Sequence, residues 1–344
     1  MKKPLRVAII GCGWAGMHHA QACKRSGNEI GWAVDVNKER AESLRDTQET
    51  IRIATDYQKA LSDPDVDVVD ICLPHNLHAS VAVDAAEAGK HVLCEKPMAG
   101  SLEEADRMIE AAQKASVILM IAENIWFNPL FHKVRELLQD GVIGQPALIQ
   151  ITREAYLSRS FLEERRWFLD EQAAAGGIMM SGGIHDFETM RMLIGEVKSV
   201  QALQARQRFV EMEGDDTSIA MVQFCNGTVG TLVESFIMKS LMTAAGLEVH
   251  TLRIDGDLGS LVVQDGRTIR LFSEREDLLL GGELTQHEIH VPQADTFLLE
   301  IEHFFQSIRR GKEPITSGRS QRRPLEIVLA AYQSMKLGQP VELS

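Results

Sequence analysis

No stretch of this chain approaches the roughly 20 consecutive apolar residues needed to cross a bilayer, so no membrane-spanning helix is expected. Basic runs interleaved with aromatics are missing too, and 36 Lys and Arg stand against 49 Asp and Glu, a formal charge of −13. That balance argues against nucleic acid and anionic membrane as partners. Cysteine is scarce: Cys12, Cys23, Cys72, Cys94 and Cys225 are odd in number, scattered and free of any C-x-x-C pair. They read as buried thiols in a reducing cytoplasm, with neither a disulfide framework nor a zinc site. Met1-Lys2-Lys3 has the charge of a secretory signal, but the apolar run at residues 5–10 is too short for one and glycines interrupt it. A soluble cytoplasmic protein is the expectation. The 344 residues leave room for two domains and a core that needs no staples.

What is present begins with residues 7–20, VAIIGCGWAGMHHA. A short apolar strand runs into Gly11, Gly13 and Gly16, spaced G-x-G-x-x-G, and then into a helix opening at Trp14 and Ala15. One glycine permits a tight turn, one lets backbone approach a pyrophosphate, and one lets helix pack on strand. The phosphates then lie on a helix N-terminus, where unpaired N–H groups favour negative charge. A second strand at residues 29–36 brings Asp35 to the position that bonds the adenosine ribose and repels a 2′-phosphate, which favours NAD; Lys38 and Arg40 keep NADP open.

Residues 66–73 (VDVVDICL) read as a central parallel strand, with Asp67 and Asp70 near its ends or edges. At its carboxyl end Leu73 and Pro74 lead into HNLH, where His75, Asn76 and His78 could line the cofactor; Asn76 is equally a helix cap. The next strand, 91–94, delivers Glu95-Lys96-Pro97. A desolvated lysine there can relay a proton to or from a hydroxyl, the plainer alternative being a structural Lys–Glu pair. Ser101 and Glu104 form a capping box, and further strands at 51–54 and 116–121 make residues 1–122 one doubly wound domain.

From Pro146 the periodicity changes to alternating strands at 147–154, 197–210, 218–225, 228–236, 247–254, 259–263, 268–272 and 287–291, with helices near 296–309 and 324–337. Residues 123–344 are therefore expected to form an α+β domain rich in antiparallel strands. Within it GGIMMSGGIHDFE, residues 176–188, predicts a helix in which Gly182 and Gly183 each cost about 1 kcal/mol against Ala. Close approach of a ligand or another backbone is the usual reason. Ser181, His185, Glu188 and Thr189 share one helical stripe, suited to a hydroxyl-rich substrate, with His185 as acid, base or hydroxyl-orienting group. Ser181 could equally bond back to the helix. Metal is not expected at this stripe, since no second ligand pair accompanies His185. Trp126, Asn128, Tyr156, Arg159, Arg166 and Trp167 are candidate walls of the substrate site, with core packing as the alternative for the tryptophans.

GCGWAGMHHA, LPHNLHA, EKP and GG…GGIHD, in this order, resemble the Gfo/Idh/MocA oxidoreductases, and the resemblance extends through the closing LEIVLAAYQSMKLGQPVEL. It implies an N-terminal Rossmann domain and a C-terminal domain on a large open, mostly antiparallel sheet that often mediates homodimers or homotetramers. It implies oxidation of a sugar or cyclitol hydroxyl, or the reverse, with NAD(P). It makes Lys96 the lysine that contacts substrate and nicotinamide ribose, set by a cis bond to Pro97, and His185 the catalytic or substrate-binding histidine. Ser181 departs from the family's usual aspartate, and Glu188 holds the later aspartate position. A complete Lys–Asp–His relay therefore does not carry over, and Lys96 and His185 share the proton work around the nicotinamide. A redox-neutral lyase or glycosidase and a non-catalytic sugar sensor are the alternatives within the same family.

Overall fold

The computed structural model describes residues 3–157, 162–163, 165–205, 212–239, 248–264 and 266–343. Contacts divide the chain into two compact units, Met1–Phe127 with Asp295–Arg323 and Asn128–Ala294 with Pro324–Ser344. The longer helices are α1 (Trp14–Arg25), α2 (His78–Glu87), α3 (Leu102–Ala115), α4 (Pro129–Gln139), α5 (Ile184–Leu193), α6 (Thr296–Arg310) and α7 (Gly318–Leu337).

In the first unit β1 (Arg6–Ile10), β2 (Glu29–Val34), β3 (Arg52–Ala54), β4 (Val68–Ile71), β5 (His91–Glu95) and β6 (Leu119–Ala122) form a parallel sheet in the order β3-β2-β1-β4-β5-β6. Every residue of β4 is buried, as a parallel strand covered on both faces requires. The order reverses between β1 and β4, which opens a crevice at their carboxyl ends. Ser101 Oγ accepts the Glu104 N–H at 3.2 Å, and Glu104 returns to the Gly100 N–H at 3.1 Å, a capping box that starts α3.

Helix α6 belongs to this first unit, although the sequence reading put all of residues 123–344 in the second. Its apolar face is the cause. Ile301, Phe304 and Phe305 are buried in one core with Val7, Ile9, Ile30 and Leu93, and each such side chain contributes about 1.5–3 kcal/mol on leaving water. Helix α7 also begins ahead of the expected start, so that Pro324 lies inside it.

The second unit carries β7 (Pro146–Glu154), β8 (Val197–Gln204), β9 (Thr217–Phe224), β10 (Val229–Ser235), β11 (Val249–Gly256), β12 (Gly259–Val263), β13 (Thr268–Ser273), β14 (Gln286–His290) and β15 (Val341–Glu342). They form one sheet in the order β14-β13-β12-β11-β7-β10-β9-β8-β15. All neighbours are antiparallel except β7 and β10. Alternation sets the faces: Ser218, Ala220, Val222 and Phe224 of β9 are buried, whereas Ile219 and Met221 are exposed. The strand expected over 197–210 ends at Gln204, and residues 206–210 lie outside the described ones. Strand β15 was not expected, because two residues carry no readable period.

Of the five thiols, Cys12, Cys23 and Cys94 are buried and Cys72 partly so, but Cys225 is exposed. It follows β9 at the mouth of the Asn226-Gly227 turn, where the chain reverses at the surface.

Candidate functional site

The three glycines of the first turn do different things. Gly11 has φ +94°, and a Cβ on it would stand 2.2 Å from the Cys72 carbonyl oxygen. A Cβ on Gly16 would stand 2.0 Å from the Gly11 carbonyl oxygen, so this glycine lets α1 lie against the turn. Gly13 has nothing within 4 Å of its Cβ position. That open backbone is the N-cap of α1, whose first turn holds no acidic side chain. The free N–H groups and the helix dipole suit a pyrophosphate there. Trp14 is exposed, its ring 4.2 Å from that of His18, and Ala15 is half-buried. Asp35 follows β2 and braces the turn: Oδ2 accepts the Cys12 N–H and Oδ1 the Asn37 N–H, both at 2.8 Å.

Leu73 and Pro74 lead from the carboxyl end of β4 into a short turn, His75–Leu77, in which His75 is buried and Asn76 exposed. His78, expected against the cofactor, is instead fully buried: Nδ1 lies 2.8 Å from the Pro97 carbonyl oxygen and Nε2 2.8 Å from that of Leu73. It ties together the chain after β4 and after β5. Burial pushes its pKa down, against the pull of the two carbonyls.

At the end of β5 Lys96 is half-buried, and its peptide bond to Pro97 is cis, as the family resemblance implies. Glu95, expected to bind cofactor, turns inward. Its Oε2 accepts the Lys96 N–H at 3.1 Å, and Oε1 lies 3.3 Å from His19 Nε2. Although burial alone would raise it, the His19 and Lys96 charges hold Glu95 down at about 2. The other His19 nitrogen, Nδ1, meets Asp70 at 2.9 Å. Asp70 is therefore no edge residue but a buried one within β4.

In the second unit the glycines of the GG…GG segment again make room. A Cβ on Gly177 would stand 2.1 Å from the Asp215 carbonyl oxygen, so here it is backbone that comes close. Tyr332 Oη accepts the Gly177 N–H at 2.9 Å and the Met180 N–H at 3.2 Å, and donates to Asp215 at 2.7 Å. These bonds cap a π-helical turn, Met179–Gly183, that runs into α5. A Cβ on Gly182 would stand 2.9 Å from Glu234 Oε2 and one on Gly183 2.8 Å from Met179 Sδ. The protein atoms nearest this second glycine pair are thus side chains and not another backbone.

Along the expected stripe His185 is half-buried, whereas Ser181, Glu188 and Thr189 are buried. Ser181 Oγ donates back to the Gly177 carbonyl at 3.0 Å and Thr189 Oγ1 to that of His185 at 2.9 Å. Glu188 accepts from Arg191 at 2.5 Å. Among the candidate walls, Asn128 caps α4 through the Leu130 N–H at 3.0 Å. Trp126 is half-buried, Tyr156 lies under Lys239 at 4.9 Å, and Trp167 meets Phe168 edge-on at 5.5 Å. Arg166 is exposed, and Arg159 lies outside the described residues.

Sequence reasoning passed over a charged network beneath this helix. Asp186, fully buried, accepts from Arg153 Nε at 2.7 Å and Nη2 at 3.0 Å and lies 2.9 Å from His250 Nε2. Although burial opposes it, Arg153 and His250 hold Asp186 well below the usual carboxylate range. Burial and Asp186 push neighbouring Glu234 well above it. The signal was there: Arg153 and Glu234 occupy inward phases of β7 and β10, where alternation calls for apolar side chains.

A parallel sheet of this order with an open glycine cradle at its switch point has the architecture of a dinucleotide-binding domain, and a unit built on a nine-stranded sheet follows it in the chain. Residues 5–123 match the oxidoreductase family with an NAD-binding Rossmann fold, and residues 135–343 match its C-terminal alpha/beta domain. The chain belongs to the Gfo/Idh/MocA oxidoreductase family. It is 29% identical over 349 residues to the uncharacterized oxidoreductase YrbE of Bacillus subtilis, covering 100% of this chain and 98% of that one. It is 29% identical over 346 residues to myo-inositol 2-dehydrogenase of Thermotoga maritima, covering 98% of each. Its fold matches that of levoglucosan dehydrogenase in complex with NADH and levoglucosan, with a TM-score of 0.88 at 23% identity over 99% of both chains. Among the described residues no helix is long and apolar enough to cross a membrane.

Proposed function

We propose that this chain transfers a hydride between NAD(H) and a hydroxyl or keto carbon of a sugar, cyclitol or sugar-derived substrate, with Lys96 and His185 handling the proton. The observation that carries this reading is the layout of one sheet edge. The turn Gly11–Gly16 follows β1 and Lys96 follows β5, at the carboxyl ends of parallel strands with only β4 between them. The substrate class follows the relatives, whose names specify myo-inositol and levoglucosan.

When bound, the cofactor supplies the hydride chemistry. Gly11, Gly13, Trp14, Ala15 and Gly16, with the N-terminus of α1, hold its pyrophosphate, and the Asp35 carboxylate disfavours a 2′-phosphate and so selects NAD. The chain's own share is the proton: Lys96 accepts it from the hydroxyl in oxidation and returns it in reduction. Ser181 brings no carboxylate, so His185 orients the hydroxyl and shares that transfer. Trp126, Tyr156 and Trp167 offer aromatic faces to a polyol ring. Leu203, Ile219, Met221 and Val229, exposed on β8, β9 and β10, support a homodimer or homotetramer through the sheet. The buried free thiols suit a reducing cytoplasm.

A panel of sugars, cyclitols and sugar acids, assayed with NAD and with NADP, tests the reading: at least one polyol should give NADH in preference to NADPH. Conversion of a sugar with no net NADH would establish the redox-neutral alternative, and NAD binding with no turnover of any kind the sensor.

The cradle has its own test. Gly13→Ala should fold with stability within about 0.5 kcal/mol of the parent, since its Cβ meets open space, yet bind NAD far more weakly. Gly11→Ala should lose about 1–3 kcal/mol, because of its positive φ and the Cys72 carbonyl. Thermal melting and Trp14 fluorescence titration with NAD separate the two. Parental NAD affinity in Gly13→Ala would remove the cradle from the proposal.

A further inference from the structure

His19 lies on α1, the helix that opens at the glycine turn, yet its side chain is fully buried and reaches across two strands. Nδ1 meets both Asp70 oxygens, at 2.9 and 3.0 Å, and Nε2, which makes no hydrogen bond among the described residues, lies 3.3 Å from Glu95 Oε1 as an ion contact. The other Glu95 oxygen accepts the Lys96 N–H. One imidazole thus connects the dinucleotide helix, β4, β5 and the backbone of Lys96.

The surroundings make this connection costly. Cys72 Sγ stands 3.6 Å from the ring, and the Phe297 ring lies 5.7 Å away. Glu300 of α6 is buried with neither oxygen hydrogen-bonded among the described residues, and its charged neighbours include Glu95, Glu123, Asp70 and His19. Glu123 is fully buried as well. Three carboxyl groups, Asp70, Glu95 and Glu300, and three thiols, Cys23, Cys72 and Cys94, therefore act on the one imidazole. Well-packed apolar residues of similar size would hold such a core at least as well, so stability alone does not account for the set.

We propose that His19, held between Asp70 and Glu95, is a positioning residue for Lys96: by fixing Glu95 it fixes the turn that carries the lysine. This rests on reading Lys96 as the proton-handling group. Without His19 the Asp70 and Glu95 carboxylates lose the group between them. Glu95 must then take up a proton or turn away, and either change loosens its hold on the Lys96 N–H. The glycine turn, braced by Asp35, keeps its geometry. The protonated state of His19 agrees, since Asp70 and Cys72 raise it well above the usual imidazole range despite burial.

The test is a double-mutant cycle with His19→Gln and Glu95→Gln, assayed on the polyol that gives NADH in the panel. His19→Gln should lower kcat by about 10- to 100-fold, the scale of a small misplacement of a reacting group, shift the pH profile of kcat, and leave NAD affinity within about twofold. In the Glu95→Gln background the same substitution should have little further effect, because the path through Glu95 is already cut. A parental kcat in His19→Gln, an equal loss in both backgrounds, or a loss confined to NAD affinity would each overturn the proposal. Should His19→Gln not fold, Glu95→Gln alone decides: a parental kcat and pH profile overturns it, and a tenfold or greater loss with a shifted profile upholds it. Lys96→Ala in parallel keeps the two readings apart. Full activity there refutes the role of Lys96 itself, whereas an inactive Lys96→Ala beside an active His19→Gln refutes only the positioning.

Discussion

Lys96→Ala is expected to lower kcat/KM for the best polyol by about 10²- to 10⁴-fold, the range in which a positioned proton-transfer group contributes. Lys96 stands half-buried after β5, on a turn held by Glu95 from within and by His78 through the Pro97 carbonyl. The glycine cradle lies two strands away, so NAD should still bind, and fluorescence titration should find it doing so. Lys96→Arg is the sharper companion. It keeps the positive charge, but a guanidinium does not give up its proton at any pH the fold survives. If the lysine serves as a proton relay, Lys96→Arg should be nearly as inactive as Lys96→Ala; recovery of activity by arginine would mean that charge alone matters. More than about a tenth of parental activity in Lys96→Ala would end the proposed mechanism.

The largest effect on stability is expected from Arg153→Met. Asp186 is fully buried and takes two bonds from Arg153, so the substitution leaves a core charge of the second unit with His250 alone to balance it. Breaking a buried pair from one side costs about 3–5 kcal/mol. Arg153→Met/Asp186→Asn should recover much of that, because the buried Asp186 charge is removed together with its partner. Chemical denaturation of both variants checks the difference, and equal stability of the single and double variants would contradict it. The pH dependence has a definite sign. Asp186 is held well below 3.8, and a depressed carboxylate contributes stability that is complete above its unfolded value and lost as pH falls through its folded one. The gap between parent and Arg153→Met should accordingly be widest near neutrality and narrow in acid, where Asp186 takes a proton.

Much of the architecture was legible in the chain itself, for reasons that differ between the units. The strands of the first unit are buried on both faces and read as unbroken apolar runs, as VVDI of β4 does apart from its aspartate. Those of the second read through alternation, as TSIAMVQF of β9 does. The glycine turn was legible because its chemistry needs missing side chains at fixed spacing, and Lys96 because it follows a strand directly. The reading misplaced α6 because amphipathic periodicity reports that a helix has a buried face, not what that face is buried against.

The sequence by itself determined the two sheets, the glycine turn and the place of Asp35 after β2, and it offered the lysine and histidine proposed for the proton. Local spacing decides each of these, and spacing is written in the chain. Only the tertiary structure decided the fate of the buried charged groups. His78 became a tie between two strand ends, Asp186 the partner of Arg153, and His19 the link from α1 to Glu95. A charge can stay buried only where its counter-charge arrives, and the counter-charges come from distant strands and helices that folding alone brings together.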